Sequence, residues 1–204
     1  GVKVSISNTA ISIPFISNGY VDIGYLYIPL VILIIIASSN AVNLTDGLDG
    51  LASGLVAISC FTFSVIAYFT SRYDFSDYLN ILFVPNSGEL FVFTLILVGS
   101  CVGFLWFNSY PASVFMGDTG SLPLGTALGC LAILFKKEIL LIIIGGVFVL
   151  EALSVIVQVL YFKYAKYRFG VGRRLFKMSP FHHHLELSGW HESKVVVRLW
   201  IIGV

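Results

Sequence analysis

The feature that most constrains this chain is the absence of charge over long stretches. Ile23–Thr45, Gly50–Ser71, Leu90–Gly117 and Thr119–Phe135 contain no Asp, Glu, Lys or Arg, and Ile139–Phe162 contains only Glu151. A helix that crosses a bilayer needs about 20 mostly apolar residues. These runs therefore predict about five full spans, the third ending near Phe107 and the fourth short but adequate. Val195–Val204 begins a sixth that stops too early to cross. Composition agrees: 11% of the residues are charged, against about 25% in a soluble domain. Such a chain cannot cover its surface with polar groups, so lipid must cover part of it. The expected fold class is all-α, a polytopic transmembrane bundle.

Residues 1–24 precede the first span and read differently. Lys3-Val4-Ser5-Ile6-Ser7 and Ala10-Ile11-Ser12-Ile13-Pro14-Phe15 alternate with period two about the turn-forming pair Asn8-Thr9. That pattern predicts an extramembrane β-hairpin. The hairpin region is thus 1–24 and the membrane region 25–204. No basic segment leads into an apolar core here, so no cleavable signal peptide is expected. Both ends of the chain read as cut. Cys60, Cys101 and Cys130 each lie inside an apolar run without metal or disulfide spacing, and read as small buried hydrophobes.

Each crossing flips the side of the membrane. Loops 43–50, 108–120 and 163–194 therefore share one face, while the hairpin, 72–89 and 136–138 share the other. Seven of the twelve Lys and Arg fall between Lys163 and Lys194. The positive-inside rule makes that face cytoplasmic and the hairpin periplasmic. Lys136 and Lys137 argue weakly the other way. The stretch Tyr161–Phe176 mixes basic and aromatic residues and suits a headgroup-level amphipathic helix, which Gly170 and Gly172 would interrupt.

The three loops of that face carry the chemistry. The first reads Asn43-Leu-Thr45-Asp46-Gly47-Leu48-Asp49-Gly50. Two carboxylates three apart share a face if the segment is helical. Hard oxygen ligands at a membrane surface suit Mg²⁺ and phosphate. A cap-and-turn cluster joining two helices is the plain alternative. The second loop runs from Asn108 to Phe115-Met-Gly117-Asp118-Thr-Gly-Ser121. Its backbone N–H groups can cradle a phosphate beside the Asp118 carboxylate. Phe115 could stack on a base, or simply face lipid. The third loop holds Pro180-Phe-His182-His183-His184-Leu-Glu186. Adjacent histidines on one helix suit a zinc site poorly. Near phosphates they donate hydrogen bonds or neutralise charge. Glu151 lies inside a span, where a carboxylate is costly in lipid, and Gln158 follows on the same helix face. These parts suit phosphoryl transfer from a nucleotide at a lipid surface. A transporter would place its polar groups nearer the bilayer midplane, and a scaffold would not need Asp46, Asp49 and Asp118 together. Nothing in the chain points to nucleic acid.

These motifs, Asn40–Leu51, Phe115–Ser121 and Pro180–Glu186, resemble the polyprenyl-phosphate N-acetylhexosamine-1-phosphate transferase family. The triple histidine with its glutamate looks like the family's bacterial muramoyl branch; the same fold acting on UDP-GlcNAc is the nearest rival. The resemblance covers essentially the whole chain and implies about ten helices in a complete member, in the bacterial inner membrane. It implies transfer of phospho-MurNAc-pentapeptide from UDP-MurNAc-pentapeptide to undecaprenyl phosphate, giving lipid I and UMP, with Mg²⁺ as cofactor. It further implies a homodimer and sensitivity to nucleoside-type inhibitors. By the same resemblance Asp118 is the metal ligand. Asp46, Asp49, His182, His183 and His184 form the catalytic set. Asn43, Leu48, Asn108, Phe115, Gly117 and Gln158 line the substrate. The family also carries an adjacent aspartate pair followed by lysine. No Asp-Asp occurs in this chain, so these 204 residues alone are expected to be inactive.

Overall fold

The computed structural model describes residues 9–14, 16, 19–79 and 81–204. The chain opens with β1 (Ala10–Ser12) and β2 (Tyr20–Asp22), paired antiparallel with Ile11 opposite Val21. A hairpin is therefore present, but not about Asn8-Thr9. The chain turns between Ser12 and Tyr20, where Ile13 N–H donates to the Gly19 carbonyl (2.7 Å). Thr9 Oγ1 donates to Asp22 Oδ1 (2.6 Å) across the ladder. Tyr20-Val21-Asp22 also alternates, and that competing strand displaces the expected turn. The proposed strand Lys3–Ser7 lies outside the described residues.

Nine helices follow among the described residues. They are α1 (Tyr27–Thr45), α2 (Leu51–Thr70), α3 (Tyr73–Tyr78), α4 (Ser87–Asn108), α5 (Asp118–Leu134), α6 (Leu140–Ile144), α7 (Gly146–Phe169), α8 (Phe181–Glu186) and α9 (Glu192–Gly203). Four segments, Gly24–Thr45, Leu51–Thr70, Ser87–Asn108 and Gly146–Phe169, are long and apolar enough to cross a membrane. The apolar α5 is shorter, at 17 residues. The result is a helical membrane bundle with a small hairpin.

The fifth predicted span needs correction. Ile139–Phe162 is not continuous: α6 stops at Ile144, and α7 restarts after Gly145 and runs on to Phe169. Two glycines in succession weaken the helix and leave no side chain to hold it straight. The extension absorbs the aromatic and basic residues from Tyr161 onward, which are good enough helix formers to continue. Gly170, at φ +73°, then ends α7 in a left-handed cap.

Helix α2 is the centre. Over its most apolar window 61% of the residues are buried, against 11% for α4. Ala52, Ser53, Gly54, Ala57, Ser59, Cys60, Ser64 and Ala67 are all buried along it. Small residues let neighbouring helices approach where lipid provides no hydrophobic drive to associate. Helices α4, α5 and α9 pack around α2, and α1 packs on α5 and α7. The Trp200 indole of α9 fills the space where a Gly54 side chain would be. Phe63 of α2 stacks on Phe135 (6.2 Å between centroids). Faces of α1 and α4 bearing Ile28, Ile32, Ile36, Val92, Phe93 and Ile96 stay exposed, as a lipid-facing surface requires.

The α1–α5 seam is also built on glycine. A Cβ on Gly125 would sit 2.5 Å from the Ser38 backbone oxygen of α1, and Ser39 Oγ donates to the Leu122 carbonyl (3.0 Å). Backbone cannot yield as a side chain can. Gly125→Ala is therefore expected to cost about 1–3 kcal/mol through overpacking, lowering the melting temperature in detergent. Gly99→Ala on α4, where nothing lies within 4 Å, should leave it unchanged. Equal melting curves for the two variants would sink this account of the seam.

Candidate active site

The end of α1, the start and end of the α4–α5 loop, and α8 with the start of α9 meet at one end of the bundle. The three loops expected to share a face do come together. The joint begins with Asn43 in the last turn of α1. Its Nδ2 donates to Asp118 Oδ1 (2.7 Å) and to Ser121 Oγ (2.9 Å), both on α5. Ser121 Oγ in turn donates to the Gly117 carbonyl (3.0 Å). Gly117 precedes α5 at φ +62°, ψ −178°, a conformation almost restricted to glycine. That turn presents the Gly117 N–H to Asp46.

Asp46 is the perturbed group of the site. Burial pushes its carboxyl up to about 6, the Gly117 N–H opposes this, and the Asp118 charge adds to it. Two carboxylates held this way favour a cation between them. Among the described residues no group of three or more His, Cys, Asp or Glu could hold a metal. Mg²⁺ does not need such a cage, because it binds through one or two carboxylates plus substrate phosphates. Asp46 and Asp118 fit that donor set.

Other predicted residues serve different ends. Asp49 Oδ2 accepts the Ala112 N–H (2.9 Å), and the Asp49 N–H donates to Glu192 Oε1 (2.9 Å). Asp49 thus ties the first loop to the second and to α9. Asn108 is buried, accepts from Ser53 Oγ (2.9 Å) and donates to the Val114 carbonyl (2.9 Å). It shapes the loop that carries Phe115. The Leu48 side chain is part of the core, so only its backbone is left to face a ligand. Phe115 is 75% exposed, and its ring face is open. Gln158 lies under the third loop: its Oε1 accepts the Leu175 and Phe176 N–H groups (3.1 and 2.9 Å), and its Nε2 donates to the Phe176 carbonyl (3.2 Å).

The histidines separate by environment. His182 is fully buried beside Glu151, which is also fully buried. Glu151 Oε2 accepts the His182 backbone N–H (3.3 Å) and lies 3.2 Å from Nδ1, outside hydrogen-bond geometry. On its other side the His182 ring abuts Gly47, where any Cβ would overlap Nε2. His183 is partly exposed and bonds Glu186 through Nδ1 (2.8 Å). His184 Nδ1 accepts the Lys177 N–H (3.2 Å), with Phe176 and Phe181 packed around the ring. Glu192 and Gly47 are the contributors that sequence reasoning did not single out. Gly47 had a signal, sitting between the two aspartates; Glu192 had none beyond being an acid at a helix start.

A helical membrane bundle with a carboxylate and histidine cluster at one end defines the class. Residues 2–136 match the family model described as glycosyl transferase family 4, and the chain belongs to that family. Curated relatives include phospho-N-acetylmuramoyl-pentapeptide-transferases from three bacteria. The Chloroherpeton thalassium protein is 54% identical over 203 residues, covering 100% of this chain and 55% of that protein. The Chlorobium luteolum protein is 57% identical over 193 residues, covering 95% and 52%. The Thermodesulfovibrio yellowstonii protein is 54% identical over 196 residues, covering 96% and 53%. The chain spans about half the length of these curated relatives.

The raised Asp46 carboxyl makes a signed prediction. Unfolded, an aspartate releases its proton near 3.8; folded, Asp46 keeps it to about 6. The folded state binds more protons across that window, so Asp46 disfavours folding increasingly as pH rises through it. Without metal, wild-type melting temperature should fall by a few degrees relative to Asp46→Asn between pH 4 and pH 7. Parallel profiles for the two proteins would contradict this.

Proposed function

We propose that this chain carries the greater part of the active site of a Mg²⁺-dependent phosphoglycosyl transferase. It moves phospho-MurNAc-pentapeptide from UDP-MurNAc-pentapeptide to undecaprenyl phosphate, giving lipid I and UMP. The observation that carries the reading is the Asn43–Asp118–Asp46 joint, a pair of carboxylates locked together where relatives so named share over half of the sequence. Asp118 and Asp46 would hold Mg²⁺, which when bound would offset charge on the diphosphate. An oxygen of the carrier phosphate attacks the sugar-linked phosphorus, and the bond from that phosphorus to UMP breaks.

The chain's own residues orient this exchange. The exposed Phe115 ring stacks on uracil, and nucleoside-type inhibitors compete there. Asn43 fixes the Asp118 carboxylate, and the Gly117 N–H steadies Asp46. His183, oriented by Glu186, donates toward the diphosphate or the sugar, with His182 and His184 beside it. Glu151 and Gln158 hold that loop from below. The enzyme works as a homodimer in the bacterial inner membrane, with this end of the bundle cytoplasmic and the hairpin periplasmic. Complete catalysis also needs an adjacent aspartate pair that these residues lack.

The test is an assay of the full-length protein for UMP release, with UDP-MurNAc-pentapeptide and UDP-GlcNAc in parallel. Release should require Mg²⁺ and the muramoyl substrate; release with UDP-GlcNAc alone overturns the substrate. Asp118→Ala should lower turnover by about 10²–10³-fold, as loss of a group stabilising transition-state charge does. Full activity of that variant rules out the metal assignment. These 204 residues expressed alone should release no UMP, and activity from them would show that the aspartate pair is dispensable.

A further inference from the structure

The carboxylates and histidines gather at one end of the bundle. At the other end α2 passes into the six-residue α3, which folds back onto the end of α2 instead of standing clear of it. Buried Ser76 is the fastener: its Oγ lies within hydrogen-bond distance of the Arg72 carbonyl (2.9 Å) and the Phe69 carbonyl (3.0 Å). The Val84 N–H closes the connection by donating to the Thr70 carbonyl (3.0 Å). At about 100° per residue, Tyr73 and Leu79 flank Ser76 on its side of α3, while Asp74 and Tyr78 lie opposite. Tyr73 and Leu79 therefore face back toward the bundle, yet 63% and 45% of their surface is uncovered. Phe83, also partly uncovered, meets Tyr73 edge to face (5.9 Å).

Arg72 stands at the head of a lipid-facing row. Phe61, Val65 and Tyr68 are exposed along one face of α2. The Arg72 guanidinium lies over the Tyr68 and Phe75 rings (6.0 and 5.0 Å to the centroids) and donates to Tyr68 Oη (3.4 Å). Among the described residues no carboxylate lies within ion-pair distance of it. The 20 residues of α2 span about 30 Å, the thickness of a bilayer's hydrocarbon core. Tyr68 and Arg72 thus fall at the edge of that core.

We propose that α3, with Arg72 and Phe83, is an interfacial anchor lying flat in the phospholipid headgroup layer, on the side of the membrane away from the carboxylates. Tyr73, Leu79 and Phe83 enter the layer, the Arg72 guanidinium meets lipid phosphate, and Asp74 and Tyr78 face water. Amphipathic segments lie in this plane, tyrosine rings settle at headgroup level, and arginine spreads its stem on apolar surface while its head reaches polar groups. Lipid is favoured over a protein partner because the patch continues the exposed row of α2. Through Phe91, which packs on Tyr68 (5.7 Å), it also joins the lipid-facing start of α4. The proposal rests on the membrane reading of α2 and α4, not on the reaction.

The test uses the full-length protein, freed of its native cysteines, in phosphatidylcholine nanodiscs. Spin labels are placed one at a time through Tyr73→Cys, Leu79→Cys, Asp74→Cys and Tyr78→Cys. Collision with oxygen, which concentrates in lipid, is compared with collision with a water-soluble nickel chelate. The oxygen-to-nickel ratio should be several-fold higher at positions 73 and 79 than at 74 and 78. A low ratio at all four sites would mean that α3 stands in water. Labels at 73 and 79 reached by neither reagent would mean that protein covers them. Either result overturns the anchor. The unmodified protein supplies a second measurement that needs no variant to fold. A lipid-soluble diazirine should, on illumination, tag Tyr73 and Leu79 and spare Asp74 and Tyr78; equal tagging on both sides of α3, or none, also overturns it.

Discussion

One side-chain amide holds this end of the molecule together. Asn43 donates from a single nitrogen to Asp118 and to Ser121, and so fastens the last turn of α1 to the first turn of α5. Asp46 follows Asn43 by less than one helical turn, so it faces Asp118 only while that fastening holds. Burial raises the Asp46 carboxyl, and the repulsion between two carboxylates in one partly buried place adds to it. The amide bond and the Gly117 N–H both oppose it. They are available because α1 and α5 lie unusually close, and the closeness depends on Gly125 lying against the Ser38 backbone.

The remaining elements converge on the same place through buried and partly buried polar contacts. Helix α7 presents Glu151 and Gln158 on one face, seven residues apart. The first meets His182, and the second takes the backbone of Leu175 and Phe176. Asp49 reaches Ala112 in one direction and Glu192 in the other. Glu151 and Gln158 are buried, and leaving such a polar group without a partner costs about 1–3 kcal/mol. The cluster is therefore specified by mutual need as much as by any one motif.

Much of this was legible in the sequence, for physical reasons. Charge-free runs reveal membrane helices directly because ionic groups are excluded from hydrocarbon: α1 ends with its run at Thr45, α2 fills Gly50–Ser71 to within a residue at each end, and α4 ends near the expected Phe107. Parity then brought the three loops to one face without any coordinates. Side-chain assignments were harder. Leu48, Asn108 and Gln158 sit in polar or loop-like sequence, yet their side chains face core or backbone, because long-range packing decides where a side chain points. The break at Gly145 escaped notice because an uninterrupted apolar run looks the same whether the helix inside it is straight or broken. The hairpin turn was misplaced because two strands competed for one partner with equal alternation.

The break between α6 and α7 bears on mechanics. From Gly146 to Gln158 is about 18 Å of helix at 1.5 Å per residue. Helix α7 is thus a lever whose fulcrum lies at a pair of glycines and whose far arm grips the histidine loop at two points. Swinging it by about 10° would carry that arm roughly 3 Å, by simple proportion over that length. That is as far as a hydrogen bond is long, so the registry between the histidines and the carboxylates is set by the angle of one rod in the bilayer.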